Sequence, residues 1–285
     1  MKKKLLRFAA LMIALAFVFA GTACRGGDVV VDIGHDTPAP TAKPTTSPTA
    51  EPTPTPEPVP SVDISDINSR SGILVRLSDG KVVAEKDADA KIYPASMTKI
   101  MTAVVGLENL SDQNETITID RDTYDRLYTE GASLAGFGAG DEVKAIDILY
   151  GVMLPSGAEC CVGLAQHLFG SEENFVAKMN EKAAELGMDS THFVTCTGLH
   201  DENHYTTVRD LTKLLSYALQ NDTFRQIYCT SEYTTSATAS APEGLHFLST
   251  MFKKMDSPEV NGGEIEGGKT GYTGEAGQCL ASLAK

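Results

Sequence analysis

Residues 93–103 read YPASMTKIMTA, a segment that carries both a helix signal and a reactive pair of side chains. Proline is favourable in the first turn of a helix, and Pro94 is followed by apolar residues spaced as on one helical face. The spacing therefore predicts a helix after Pro94 whose apolar positions are Met97, Ile100, Met101, Val104 and Val105. Ser96 and Lys99, three positions apart, then have side chains on one face and within reach of each other.

The pairing of Ser96 with Lys99 indicates a nucleophile and its base. A hydroxyl is a poor nucleophile until a base removes its proton, and a neutral lysine can be that base. The helix N-terminus also places the positive end of the helix dipole beside the negative charge that develops in the reaction. The pattern alone is weak evidence, because Ser78 and Lys81 have the same spacing inside a predicted turn where nothing aligns them.

Around this segment, the hydrophobic pattern predicts strands at both ends of the folded part and helices between them. Strands are predicted at 73–77 and 82–85, joined by a turn whose Asp-Gly pair is typical of hairpins. Further helices are predicted at 146–153, 158–168, 174–186 and 207–219, and a strand, a turn and a strand at 267–285. This order predicts an α/β fold, more narrowly α+β, in which helices pack on an antiparallel sheet.

Two further short motifs can contribute to a site. Ser156 lies between Pro155 and Gly157 at a break between two predicted helices, where its hydroxyl faces a cleft or simply caps the next helix. Lys269 and Thr270 lie in a glycine-rich strand, where charge and a hydrogen bond can hold a substrate carboxylate. The flanking glycines suit close approach by another backbone. Each of these motifs is common by itself.

The first 23 residues have the composition of a secretory signal, with a basic start, an apolar run at 8–19 and small residues before residue 24. Gly-Thr-Ala-Cys at 21–24 resembles a bacterial lipobox, although Gly21 stands where an aliphatic residue is usual. Cys24 is therefore the predicted lipidation site, with simple secretion or an uncleaved, anchoring signal as the alternatives. In each case the protein is expected outside the cytoplasm, anchored to the membrane or secreted to the cell wall.

A proline-rich segment separates this signal from the folded part. Nine of the 13 prolines fall in residues 38–60, among threonine, serine and glutamate. Such a composition cannot bury a core and favours an extended chain. Residues 24–60 are therefore predicted to be a disordered tether, and residues 61–285 to be the folded domain.

Charge and cysteine content exclude several classes of protein. The formal net charge is −14 and no basic stripe is present, which argues against a nucleic-acid partner. Five of the six cysteines remain when Cys24 is set aside, and none forms a Cys-x-x-Cys pair, so a disulfide framework or a zinc site is not expected. They are predicted to be small buried residues.

Taken together, the three motifs resemble those of the serine D-alanyl-D-alanine carboxypeptidases, which are low-molecular-weight penicillin-binding proteins. The similar segments are YPASMTKIMTA, MLPSG at 153–157, TGLHD at 197–201 and GKTGYT at 268–273, and the resemblance runs from about residue 71 to the end. It implies the fold shared by penicillin-binding proteins and β-lactamases, with a helical subdomain beside the sheet. It also implies a reaction that needs no metal or cofactor.

The resemblance further implies a role for each motif residue. Ser96 would attack the carbonyl between two terminal D-alanines to form an acyl-enzyme, with Lys99 as base. Ser156 would relay a proton to the leaving amine. The backbone N–H groups of Ser96 and Tyr272 would form the oxyanion hole.

Substrate binding is assigned by the same resemblance to Lys269, Thr270, Gly271 and Tyr272, of which the first two would hold the terminal carboxylate. The implied partners are peptidoglycan stem peptides ending in D-Ala-D-Ala and β-lactam antibiotics.

Two departures from the family pattern limit these expectations. The second motif is commonly Ser-x-Asn, but Ala158 stands in place of the asparagine, which predicts weaker acylation. The neighbouring Glu159 would have to turn inward to contribute, so no role is assigned to it. The family continues with another strand and a C-terminal helix, so a sequence that ends at Lys285 is expected to be a fragment.

Two alternatives remain open. A β-lactamase would need fast deacylation through a glutamate on a separate loop, and no segment matches that loop. A non-catalytic, cell-wall-binding lipoprotein that keeps the fold is favoured by Ala158 and opposed by the intact Ser96, Lys99 and Lys269.

Overall fold

The computed structural model describes residues 62–285. The predicted signal at 1–23, the lipidation site Cys24 and the tether at 24–60 lie outside the described residues, and these assignments stay predictions. Within residues 62–285, no helix combines the length and the apolar character that a membrane span requires.

Seven α-helices and nine strands make up the described part of the chain. The helices are α1 Lys99–Asn109, α2 Arg121–Thr129, α3 Ala145–Met153, α4 Ala158–Phe169, α5 Glu172–Glu185, α6 Val208–Ala218 and α7 Asp222–Tyr228. The strands are β1 Gly72–Arg76, β2 Lys81–Lys86, β3 Thr116–Thr118, β4 Glu142–Lys144, β5 Glu232–Thr234, β6 His246–Leu248, β7 Glu259–Val260, β8 Gly263–Thr273 and β9 Gly277–Ala284. All described pairs are antiparallel: β1 with β2, β3 with β4, β5 with β6, and β7, β8 and β9 in one sheet. This mixture confirms the predicted α+β class.

Helix α1 is the centre of the helical core. Every residue from Lys99 to Gly106 is buried, because α3, α4, α5 and α6 surround the helix. A Cβ atom added to Gly106 would lie 2.6 Å from a methyl carbon of Leu164, so glycine permits the close approach of α4. A helix that is covered on all sides is held in place by its neighbours. It therefore fixes the position of Lys99, its first residue.

The observed elements differ from the predicted ones in the turn at Ser96 and in several short helices and strands. The helix after Pro94 opens with a 3₁₀ turn, Ala95–Thr98, and the α-helix begins only at Lys99. Helices α2 and α7 and the short strands β3 to β7 are not in the prediction. In α2 only Thr123 and Leu127 are buried, which leaves too weak an apolar pattern to recognise. Cys160, Cys161 and Cys196 are buried as expected, whereas Cys229 and Cys279 are only partly buried.

Candidate active site

The nucleophile candidate Ser96 lies in a tight turn and is partly exposed. The turn is closed by the bond from the N–H of Met97 to the carbonyl oxygen of Pro94, 3.1 Å. Side chains three positions apart eclipse each other in a 3₁₀ helix, more closely than in an α-helix. This geometry stacks Lys99 beside Ser96, with 3.2 Å between Nζ and Oγ.

Lys99 is a buried amine aimed at that hydroxyl. Its side chain is 2% exposed, and its Nζ also donates to the carbonyl oxygen of Thr197 at 2.6 Å. The loop around Thr197 belongs to the TGLHD segment, so this segment holds the amine in place from the opposite side.

Ser156 and Lys269 form a second serine–lysine pair. The Nζ of Lys269 donates to Ser156 Oγ at 2.9 Å and to the carbonyl oxygen of Thr270 at 2.8 Å. Lys269 is fully buried, and burial first and the charge of Lys99 second hold its pKa well below the usual value. Because two neighbouring ammonium groups repel each other in a poorly solvated cleft, the site favours a form in which one amine is neutral.

Strand β8 forms one wall beside the nucleophile. A Cβ atom added to Gly271 would lie 3.0 Å from the backbone nitrogen of Ser96, so glycine lets the strand approach the turn closely. Thr270 is partly exposed, and its hydroxyl lies 2.6 Å from that of Thr250. Tyr272 follows with 65% of its side chain exposed.

The structure thus brings the two serine–lysine pairs and the β8 segment around one cleft; the residues concerned are Ser96, Lys99, Ser156, Lys269, Thr270, Gly271 and Tyr272. Cys24 lies outside the described residues.

Glu159, to which no role is assigned from the sequence, turns inward and is fully buried. Its Oε1 accepts hydrogen bonds from the N–H groups of Ala135 and Gly136, at 2.7 and 3.0 Å. Its Oε2 has no hydrogen-bond partner within the described residues, and burial raises the pKa of the carboxyl. The inward position has no signal in the sequence, because the two groups that hold the carboxylate are backbone donors of the loop at 135–136.

Two other residues beside the site, Thr250 and His204, belong to no motif that would identify them from the sequence. Thr250 contacts the hydroxyl of Thr270, as described above, and His204 is buried against Thr98 with 2.7 Å between Nε2 and Oγ1. Burial is the main cause that lowers the pKa of His204 to about 4, and Asp201 opposes it while His192, His200 and Lys99 reinforce it.

The low pKa of His204 predicts an acid-sensitive fold. Between about 6.5 and about 4, the unfolded chain binds a proton at this residue that the folded chain does not, so stability falls as the pH is lowered through this range. The loss from this residue approaches about 3 kcal/mol at the acid end. Urea unfolding of the wild type and of His204→Gln from pH 4 to 7 measures it, because glutamine does not titrate. The wild type should gain stability over the variant as the pH rises; parallel curves would contradict the prediction.

The comparisons with known proteins agree with this geometry. Residues 56–285 match the Peptidase_S11 family, D-alanyl-D-alanine carboxypeptidase. DacF of Bacillus subtilis is 32% identical over 217 residues, which are 76% of this chain and 54% of DacF. DacC of Escherichia coli is 33% identical over 238 residues, 79% of this chain and 55% of DacC. The chain therefore spans about half the length of these two relatives.

Solved structures show the same fold. The Streptomyces K15 DD-transpeptidase superposes with a TM-score of 0.70 at 31% identity, over 79% of this chain and 87% of that one. The D-alanyl-D-alanine carboxypeptidase of Mycobacterium tuberculosis gives a TM-score of 0.68 at 28% identity, over 79% and 81%. These matches confirm the expected penicillin-binding-protein fold, and with the family match over 56–285 they show that this chain belongs to the Peptidase_S11 family of D-alanyl-D-alanine carboxypeptidases.

Proposed function

We propose that this chain carries the catalytic domain of a serine-type D-alanyl-D-alanine carboxypeptidase, which removes the terminal D-alanine from peptidoglycan stem peptides. The observation that carries the proposal is the 3.2 Å contact between the buried amine of Lys99 and the hydroxyl of Ser96. Family membership supports the choice of substrate.

Acylation begins at this contact. The neutral amine of Lys99 takes the proton of Ser96 Oγ, and the oxygen forms a bond to the carbonyl carbon between the two D-alanines. The N–H groups of Ser96 and Tyr272 receive the oxyanion, each contributing about 3 kcal/mol in such sites. The carbon–nitrogen bond then breaks, and the leaving D-alanine takes a proton through Ser156.

Substrate binding involves the second serine–lysine pair. The terminal carboxylate accepts hydrogen bonds from Lys269 and Thr270, whose hydroxyl is held by Thr250 at 2.6 Å. A bound carboxylate favours the charged form of Lys269, whose amine also donates to Ser156 Oγ at 2.9 Å. Water finally attacks the acyl-enzyme, releases the shortened peptide and returns a proton to Ser96.

The remaining parts of the proposal concern location and domain organisation. A signal at 1–23, a lipid on Cys24 and an extended segment to residue 60 would hold the domain at 61–285 outside the cytoplasm, close to the cell wall. The composition of these segments supports this arrangement, as does membership of a family that acts on the wall. β-Lactams are proposed ligands because their amide can acylate the same serine.

The decisive experiment is intact-mass analysis of the folded domain after incubation with benzylpenicillin, alongside an assay of D-alanine release from a D-Ala-D-Ala peptide. Wild-type protein should form a stable adduct and release D-alanine, and Ser96→Ala should do neither while keeping its circular dichroism spectrum. A folded wild type that forms no adduct and leaves the drug intact would favour the non-catalytic wall-binding protein. Rapid hydrolysis of the drug would favour the β-lactamase.

Ala158→Asn is expected to raise the acylation rate roughly tenfold, about the effect of one added hydrogen bond. Ala158 begins α4 directly after the Ser156 turn and is 1% exposed, so an amide there would lie next to the cleft. The pseudo-first-order rate of adduct formation at fixed benzylpenicillin concentration measures the change. A slower variant of unchanged stability would mean that this site is organised without the amide of the usual motif.

A further inference from the structure

A buried histidine lies behind the nucleophile's turn, away from the reacting atoms. His204 is 2% exposed, and its ring meets the turn through the hydroxyl of Thr98. Thr98 is fully buried and forms the last residue of the 3₁₀ turn that carries Ser96. The mechanism proposed above uses neither residue.

The hydrogen bonds of His204 belong to a chain in which each group donates to the next. Its Nδ1 accepts from the N–H of Val194 at 3.0 Å, so that nitrogen carries no proton. In the neutral ring the proton is then on Nε2, which donates to Thr98 Oγ1 at 2.7 Å. The hydroxyl of Thr98 in turn donates to the carbonyl oxygen of Ala95 at 2.8 Å. The chain of donors ends at that carbonyl.

The carbonyl of Ala95 belongs to the same peptide unit as the N–H of Ser96. A peptide unit is planar and trans, so fixing the direction of its C=O fixes the opposite direction of its N–H. The nitrogen of that group lies close to β8, since a Cβ on Gly271 would lie 3.0 Å from it. This N–H is the group assigned above to the oxyanion hole.

This peptide unit needs such support because Ala95 has a φ of +47°, a region that residues other than glycine rarely adopt. Conformations of this kind persist when the surroundings hold them, and they cluster at active sites. Hydrogen bonds in series also polarise one another, which strengthens the N–H as a donor.

We propose that His204 and Thr98 are positioning residues of the oxyanion hole, which orient the Ala95–Ser96 peptide unit so that the N–H of Ser96 points into the cleft. The inference rests on the proposed acyl-transfer function. It adds two residues, neither of which touches substrate.

Thr98→Val and His204→Leu each break the donor chain, and Thr102→Val is the matched control. Thr102 is also fully buried on the same helical segment, and its Oγ1 donates to a backbone carbonyl, that of Cys196, at 2.6 Å. Its hydrogen bond does not lead to Ala95. The control therefore removes a buried threonine hydroxyl of the same kind without loosening the Ser96 turn.

The first readout is kinetic. Acylation by benzylpenicillin should slow roughly tenfold to a hundredfold in Thr98→Val and His204→Leu, somewhat less than the loss of an oxyanion donor itself. The double variant should be no slower than either single one, because both break the same chain. His204→Gln, which keeps a donor and an acceptor, should recover part of the rate, and Thr102→Val should react like the wild type. Equal effects of Thr98→Val and Thr102→Val, or additive losses in the double variant, would overturn the proposal.

The second readout separates this proposal from the proposed function. In protein labelled with ¹⁵N-serine, the amide resonance of Ser96 should shift in Thr98→Val and His204→Leu but not in Thr102→Val. These shifts are expected whether or not the wild-type protein reacts with penicillin. A wild type that does not react would count against the proposed function alone. An unmoved Ser96 resonance in both chain-breaking variants would refute the positioning role.

Discussion

Lys99→Met is expected to slow acylation of Ser96 by on the order of a thousandfold, the scale on which a positioned general base contributes. The methionine side chain has nearly the same length and no basic atom. Its sulfur takes the position of the lysine Cδ and its methyl group that of Cε, so no basic atom remains where the amine lies 3.2 Å from Ser96 Oγ, and the hydroxyl loses its proton acceptor.

The same variant is expected to be at least as stable as the wild type. Lys99 is 2% exposed, and both of its hydrogen bonds go to neutral oxygens, those of Ser96 and Thr197. Removing a buried amine relieves its desolvation and its repulsion of Lys269, and this offsets the loss of a partner for Thr197. Loss of rate with no loss of stability is the signature of a residue kept for catalysis.

Lys182→Met is the matched control for this prediction. Lys182 is only partly buried, and its amine pairs with Glu108 and Glu185, at 3.0 and 2.6 Å, on the helical surface. The Lys182→Met variant should react with benzylpenicillin at the wild-type rate and be somewhat less stable than the wild type. Stopped-flow acylation and urea unfolding measure both quantities. A Lys99→Met protein that still acylates within tenfold of the wild type would remove Lys99 from the role of base.

Gly198→Ala is expected to destabilise the domain by more than about 4 kcal/mol, in the range reserved for severe steric conflicts. Gly198 has a φ of +81°, and a Cβ atom there would lie 2.0 Å from the carbonyl oxygen of Ala95. Neither backbone can yield easily, because Ala95 is held in its own strained conformation. The turn that carries Ser96 would therefore be displaced, and acylation should be lost with it.

Gly170→Ala separates this conflict from the general cost of a positive φ. Gly170 ends α4 with a φ of +77°, and a Cβ atom there would have nothing within 4 Å. The substitution should cost about 1–2 kcal/mol, the price of a left-handed residue alone, and leave acylation unchanged. Urea unfolding of the two variants gives the difference. Equal losses would show that the loop at 198 moves aside freely.

The elements that could be predicted from sequence are those with strong local patterns. The hairpin β1–β2 carries its Asp-Gly turn, and α3 to α6 carry apolar faces, so their bounds are predicted within one or two residues. The 3₁₀ turn at Ser96 was missed because a spacing of three positions fits both kinds of helix. Packing from elsewhere in the chain bears on the outcome, and here Gly198 and β8 pack closely against the turn.

The residues of the candidate site likewise fall into those that could be predicted from the sequence and those that could not. Ser96, Lys99, Ser156 and Lys269 stand in short motifs and could be named in advance, although their convergence rested on resemblance. Glu159 and His204 could not, because each is held by backbone N–H groups of another segment: those of Ala135 and Gly136 for the carboxylate, and that of Val194 for the imidazole. Backbone donors are present at nearly every position, so they leave no trace in the pattern of side chains.

The residues of the cleft lie far apart in the sequence, and this has a consequence for biosynthesis. Lys269 lies 113 residues beyond its partner Ser156, on the next-to-last strand of the described chain. In a nascent chain whose β8 has not yet docked, the hydroxyl of Ser96 lacks the wall that β8 forms, the amine of Lys269 and a complete oxyanion hole. Under the proposed mechanism, such a chain would ignore a β-lactam. A fluorescent penicillin would then count only finished molecules, and the labelled fraction of a preparation would report the yield of correct folding.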